Sequence, residues 1–148
     1  MGISYVDYGL HIGSIDDIYE NSTDKFDVVV SVCQDNARDN VGCFYPHYPL
    51  ADDEQSKDAW GGTTEYSVFA EAAETVVTAL QADSVENVLV HCHVGRNRSA
   101  AVCTAAMAVY EGTFYEAAFS KLRNAREIVA PNSMMEEYAR RFIQEQQT

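Results

Sequence analysis

Residues 88–99 read V-L-V-H-C-H-V-G-R-N-R-S, and they constrain the fold of this chain more than any other stretch. The run Asn87–His91 predicts a buried strand. The apolar run Ser99–Glu111, closed by Gly112, predicts a helix. The loop Cys92–Arg98 joins them with the spacing Cys-x5-Arg and Gly95 inside it. A tight loop from strand to helix turns successive backbone N–H groups inward at the positive end of a helix dipole, a geometry that binds a tetrahedral anion. Gly95 admits a backbone conformation closed to other residues. Arg98 closes the ring with a planar fork suited to two phosphate oxygens. Cys92 lies at the base, where the same amides and guanidinium stabilise a thiolate. The segment thus predicts a nucleophile beneath a phosphoryl group cradled by His93, Val94, Gly95, Arg96, Asn97 and Arg98.

The rest of the chain supplies a matching frame. Tyr5–Tyr8 and Leu10–Ile12 predict short strands, and Ser14 predicts the cap of a short helix with Asp16 and Asp17 in its first turn. Phe26–Val32 reads as a second buried strand and Cys43–Leu50 as a further one, weakened by Pro46 and Pro49. Glu65–Gln81 carries Tyr66, Phe69, Ala73, Val76, Val77 and Leu80 at helical spacing. Thr113 predicts the cap of a helix reaching Arg126. Pro131 opens a last helix on which Met135, Tyr138 and Phe142 share a stripe. Between the Cys43–Leu50 strand and the first long helix, Asp52–Thr64 reads as a long polar loop, a kind that is often functional. Strands alternating with helices imply an α/β fold, a central, mostly parallel twisted sheet flanked by helices. Ligands of such sheets bind beyond the carboxyl ends of the strands, where Cys92 falls. The 148 residues fit one domain spanning 1–148.

Charge narrows the partners. Asp plus Glu is 23 and Lys plus Arg is 10, a net of −13. The lysines are Lys25, Lys57 and Lys121 alone. This argues against a broad basic surface for a long nucleic acid or an anionic membrane. Two readings fit: an acidic protein kept soluble by its charge, or adaptation to high salt, where repulsion is screened over about 3 Å at ~1 M. There is no apolar run of membrane length and no signal-like start at Met1–Leu10. The four cysteines are too sparse for a disulfide scaffold. A cytoplasmic setting is expected, and a monomer, since no long exposed apolar stripe demands a dimer.

His91-Cys92-x-x-Gly95-x-x-Arg98-Ser99 matches at every fixed position the H-C-x-x-G-x-x-R-S/T pattern of the protein tyrosine phosphatase superfamily. The short length, the strand before the loop, and Asn124-Ala125-Arg126-Glu127 leading into Pro131-Asn132 resemble the compact dual-specificity phosphatases, the group named after the vaccinia virus enzyme. The resemblance implies cysteine-dependent hydrolysis of phosphomonoesters without a metal or other cofactor, with a phosphorylated protein as substrate. It also implies a carboxylic acid opposite the nucleophile, on a loop after a strand and often in a P-x-x-D pattern. Pro49-Leu50-Ala51-Asp52 fits, and a shift of one residue would select Asp53 instead. Ser99 is expected to hydrogen-bond the sulfur as phosphate leaves it, or simply to cap the helix. His91 is expected to orient the loop.

The remaining candidates carry two readings each. His93 and Arg96 would make the pocket rim positive, or point into solvent. Basic residues at these positions, and the Asn97-Arg98 pair, also resemble phosphatases of inositol lipids and of RNA 5′ ends. Arg126 aligns with an arginine that reaches a second substrate phosphate in the compact group, or is a plain helix C-terminal arginine. Trp60, in an insert at residues 58–64, covers substrate or packs ordinarily. Cys33 ends the central strand near Cys92 and could trap it as a disulfide after oxidation. Cys103 reads as core. His91, Cys92 and His93 alternate in direction and do not make a metal site.

Overall fold

The structure, a computed structural model, describes residues 2–147. Its sheet has four strands: β1 (Ser4–Asp7), β2 (Leu10–Ser14), β3 (Val28–Ser31) and β4 (Val88–Cys92), in spatial order β1-β2-β4-β3. β1 and β2 form an antiparallel hairpin, turned by Tyr8 and Gly9 with φ of 58° and 81°. β4 lies between β2 and β3 and runs parallel to both. It is buried along its whole length, which is why it reads as an unbroken apolar run.

The helices are α1 (Ile15–Glu20), α2 (Glu54–Trp60), α3 (Tyr66–Gln81), α4 (Arg98–Glu111), α5 (Tyr115–Ala125) and α6 (Ser133–Gln146). Ser14 caps α1 in a reciprocal box with Asp17. α4 is buried continuously from Arg98 to Ala108, among α3, α5 and α6. Its alanine-rich sequence suits a central helix, because small side chains allow close approach on every side. Gly112 ends it in the left-handed conformation, at φ 70°.

Four local expectations are corrected. Cys43–Leu50 is not a strand. It makes only isolated bridges along β3, Phe44 to Val28 and His47 to Ser31. Pro46 and Pro49 lack the N–H groups a ladder needs. The Asp52–Thr64 loop holds the helix α2, capped by Asp53. α5 is capped by Phe114 rather than Thr113, without a side-chain bond, and Asn132 rather than Pro131 immediately precedes α6.

Candidate active site

β4 delivers Cys92 to the carboxyl end of the sheet, and the chain turns at once into α4. The Cys92 sulfur is buried, 3.2 Å from the Gly95 amide nitrogen and 3.0 Å from Ser99 Oγ. Gly95 has φ 77°, and a Cβ there would stand 2.7 Å from the Gly13 carbonyl oxygen and 2.8 Å from Arg126 Nη2. Any other residue would be both strained and obstructed. Strand, cysteine, glycine and helix follow one another in the expected order, and the Gly95 amide is directed at the sulfur.

Arg98 is 4% exposed. Its Nη1 donates to Gln34 Oε1 at 2.5 Å and to the Leu50 carbonyl at 2.8 Å. Its Nε lies 2.9 Å from Asp52 Oδ1. That N–H has no aligned acceptor, the one buried side-chain polar atom in this state among the described residues. Buried donors are almost always satisfied, and this one has only the off-axis Asp52 carboxylate beside it.

The two candidate acids differ sharply. Asp52 Oδ1 accepts from Asn97 Nδ2 at 2.9 Å and contacts Arg98, so its carboxylate stands at the mouth of the phosphate pocket. Asp53 turns away and caps α2, accepting from the Ser56 amide at 2.7 Å. The Ser56 amide and hydroxyl hold the Asp53 carboxyl below the ordinary carboxylate range. The segment carrying both is closed at its base, where Thr63 pairs with Pro49 and Ala51.

His91 is fully buried. The Tyr45 hydroxyl accepts from the Ala37 amide and lies 2.7 Å from His91 Nε2. Tyr45 thus donates to Nε2, and Nδ1 donates to the Cys92 carbonyl at 3.3 Å. Burial pushes this imidazole down from 6.5 to about 4. Between those values the unfolded chain binds a proton that the fold does not, so stability rises with pH across the window. The contribution of His91 is complete above about 6.5 and is lost as pH falls to about 4, about 3 kcal/mol in total. His11 is shifted in the same direction by its own burial. Denaturant midpoints should therefore fall from about pH 7 to about pH 5, before most carboxylates titrate. A flat profile there would contradict the neutral, buried assignment.

Other residues depart from expectation. Arg126 is 2% exposed and faces the back of the loop, not a second phosphate. It donates to the carbonyls of Gly95 (3.0 Å), Val94 (3.2 Å) and Gly2 (2.8 Å), and lies 3.6 Å from Asp17. The rim is not simply positive. His93 Nδ1 meets Asp35 Oδ2 at 2.9 Å, and Arg96 lines a separate groove between α5 and α6. The Asn97 side chain is spent on the acid loop and on α6, accepting from the Asn132 amide at 2.8 Å. Asn132 in turn donates to the Asp52 carbonyl at 2.7 Å. Cys33 is a free thiol whose burial, with Cys92 nearby, pushes it up to about 12. Cys103 is wholly buried in the core. Gln34, Asp35 and Tyr45 carry roles that no local pattern announced, and the Pro131-Asn132 pair announced a helix start but not the bond from Asn132 to Asp52.

The sequence profile of the "Dual specificity phosphatase, catalytic domain" family matches residues 11–142, and the chain belongs to that family. It is similar to mouse dual specificity phosphatase 28, 35% identical over 74 aligned positions that take in 44% of this chain and 45% of the relative. The chain thus matches less than half the length of that protein. Among solved structures, human DUSP28 superposes with a TM-score of 0.78 at 22% identity, covering 99% of this chain and 95% of that one. The human tyrosine phosphatase-like serine/threonine/tyrosine-interacting protein gives 0.73 at 17% identity, covering 99% of each chain. These two likenesses show the fold.

Proposed function

We propose that residues 1–148 act as one catalytic domain that hydrolyses phosphomonoesters of proteins, on tyrosine and on serine or threonine. The supporting observation is the buried Cys92 sulfur beneath an inward amide, six residues from a buried arginine with an unsatisfied N–H. Phosphate enters above Cys92, and the Arg98 Nε–H turns from Asp52 to a phosphate oxygen. The thiolate attacks phosphorus, forming the S–P bond as the P–O bond to the leaving group breaks. Asp52 gives its proton to the departing oxygen. Water then attacks the cysteinyl-phosphate while Asp52 takes its proton. The S–P bond breaks, Ser99 donates to the sulfur, and inorganic phosphate leaves. Loop amides and Arg98 stabilise the equatorial oxygens in both steps.

Tyr45 and His91 act as positioning residues beneath the loop, and Arg126 braces it from behind. A non-catalytic phosphate-binding module would be expected to lack nucleophile, acid or arginine, and all three residue types stand here in one site. Action on RNA 5′ ends or inositol phosphates is the weaker alternative. Of the side chains that suggested it, Arg96 lines another groove, Asn97 is occupied by Asp52, and His93 lines the pocket but is paired with Asp35.

Hydrolysis of a generic aryl phosphate in the presence of a chelator is the first test, and activity is expected to survive. Phosphotyrosine and phosphoserine peptides should then turn over faster than 5′-triphosphate RNA or inositol phosphates. The reverse order would overturn the protein-substrate reading while leaving the chemistry intact.

A further inference from the structure

Trp60 is the chain's one tryptophan, and it is 79% exposed. It ends α2, a helix with no buried residue. Hydrophobic burial therefore does not explain why an indole stands there. The cavity it lines, about 400 Å³, is the one lined by Arg98 and Asp52. Gln34, Asp35, Ser56 and His93 complete that lining, so Trp60 is its sole large apolar side chain.

The position of Trp60 is set by the phosphate site itself. Gln34 accepts from Arg98 Nη1 through Oε1 and donates through Nε2 to the Gly61 carbonyl at 2.8 Å. One side chain thus ties the phosphate-binding arginine to the residue next to Trp60. Gly61 and Gly62 adopt φ of 81° and 90°. A Cβ on Gly62 would stand 2.9 Å from the Pro49 carbonyl oxygen and 3.1 Å from the Ala51 nitrogen. This close approach holds the end of α2 against the Pro49–Ala51 backbone that leads into Asp52. Thr64 Oγ1 fixes the other end by donating to Glu54 Oε1 at 2.7 Å.

We propose that Trp60 is a specificity contact that packs against the aromatic ring of a phosphotyrosine whose phosphate lies in the Cys92–Arg98 loop. The proposal rests on the phosphatase reading and names the substrate class it favours. A phosphate at Arg98 puts the next atoms of the ester between Asp52 and Trp60. In phosphotyrosine those atoms are a flat ring, which gains from an indole face or edge. In phosphoserine they are one methylene, which gains little. The other lining groups are polar and offer the ring no comparable surface.

The chain's one tryptophan also makes the contact observable. In Cys92→Ser protein, a phosphotyrosine peptide should quench or blue-shift the tryptophan emission saturably. The phosphoserine peptide of the same sequence and inorganic phosphate should leave it unchanged while calorimetry records their binding. In otherwise native protein, Trp60→Ala should lower the ratio of aryl to alkyl kcat/KM about tenfold, and Trp60→Phe should restore much of it. Phosphotyrosine that binds by calorimetry without moving the emission overturns the proposal. So does an unchanged ratio in Trp60→Ala. If Cys92→Ser binds none of these phosphates by calorimetry, the phosphatase reading itself fails and takes the proposal with it.

Discussion

Cys92→Ser should lower turnover of an aryl phosphate by at least about 10⁴-fold while leaving the loop able to bind phosphate. The groups around the sulfur set this loss. The Gly95 amide lies 3.2 Å from it and the Ser99 hydroxyl 3.0 Å. The amide donates to the sulfur, and a sulfur anion is a strong nucleophile and a good leaving group from phosphorus. A serine hydroxyl at the same place stays protonated and has no neighbouring base to take its proton. His91 does not serve as one, because Nε2 accepts from Tyr45 and Nδ1 is turned to the Cys92 carbonyl. Steady-state rates measure the loss and calorimetry with inorganic phosphate measures what is kept. Residual turnover within about tenfold of the native rate would remove Cys92 from the chemistry.

Asp52→Asn should lower kcat by about 10² to 10⁴-fold on alkyl phosphates and much less on aryl phosphates with acidic leaving groups. An alkoxide leaves poorly unless it is protonated as the bond breaks, whereas an acidic phenol departs without help. Asparagine keeps the hydrogen-bonding shape beside Asn97 and Arg98 but carries no transferable proton. Asp53→Asn should change either rate by no more than about twofold, since asparagine caps a helix nearly as well as aspartate. A plot of rate against leaving-group acidity separates the variants: steep for Asp52→Asn, shallow for native protein and for Asp53→Asn. A steep plot for Asp53→Asn would move the acid one residue along.

The contrast between these two carboxylates shows where sequence reading ends. The phosphate loop is legible because its chemistry is local. Strand, cysteine, glycine, arginine and helix follow one another within a dozen residues, and each residue type has a physical reason to be there. The parallel sheet is legible for a similar reason, since β3 and β4 are continuous apolar runs between helices. The pattern Pro49-x-x-Asp52 points to the acid, but the choice between Asp52 and Asp53 depends on which of them caps α2. That helix is nearly invisible in the sequence. It is short and buries nothing, so it has no apolar stripe to reveal it.

The supports of the loop are hidden for a different reason. Tyr45 reaches His91 from 46 positions away, Gln34 reaches Arg98 from 64, and Arg126 reaches Gly95 from 31. Each is a single side chain in a stretch with another evident purpose. Arg126 reads as a helix-end arginine until its donors are seen on the loop carbonyls. Arg96 reads as part of the pocket until it is seen lining the groove between α5 and α6. Periodicity reports faces of one element, and these contacts join elements that only the fold brings together.

Rapid acid quench during turnover of an aryl phosphate, followed by mass analysis of the peptide bearing Cys92, is the most direct measurement. The account predicts a phosphate adduct on Cys92 that forms before product phosphate is released and is absent from Cys92→Ser. Steady turnover with no adduct, or with the phosphate on any other side chain, would contradict it.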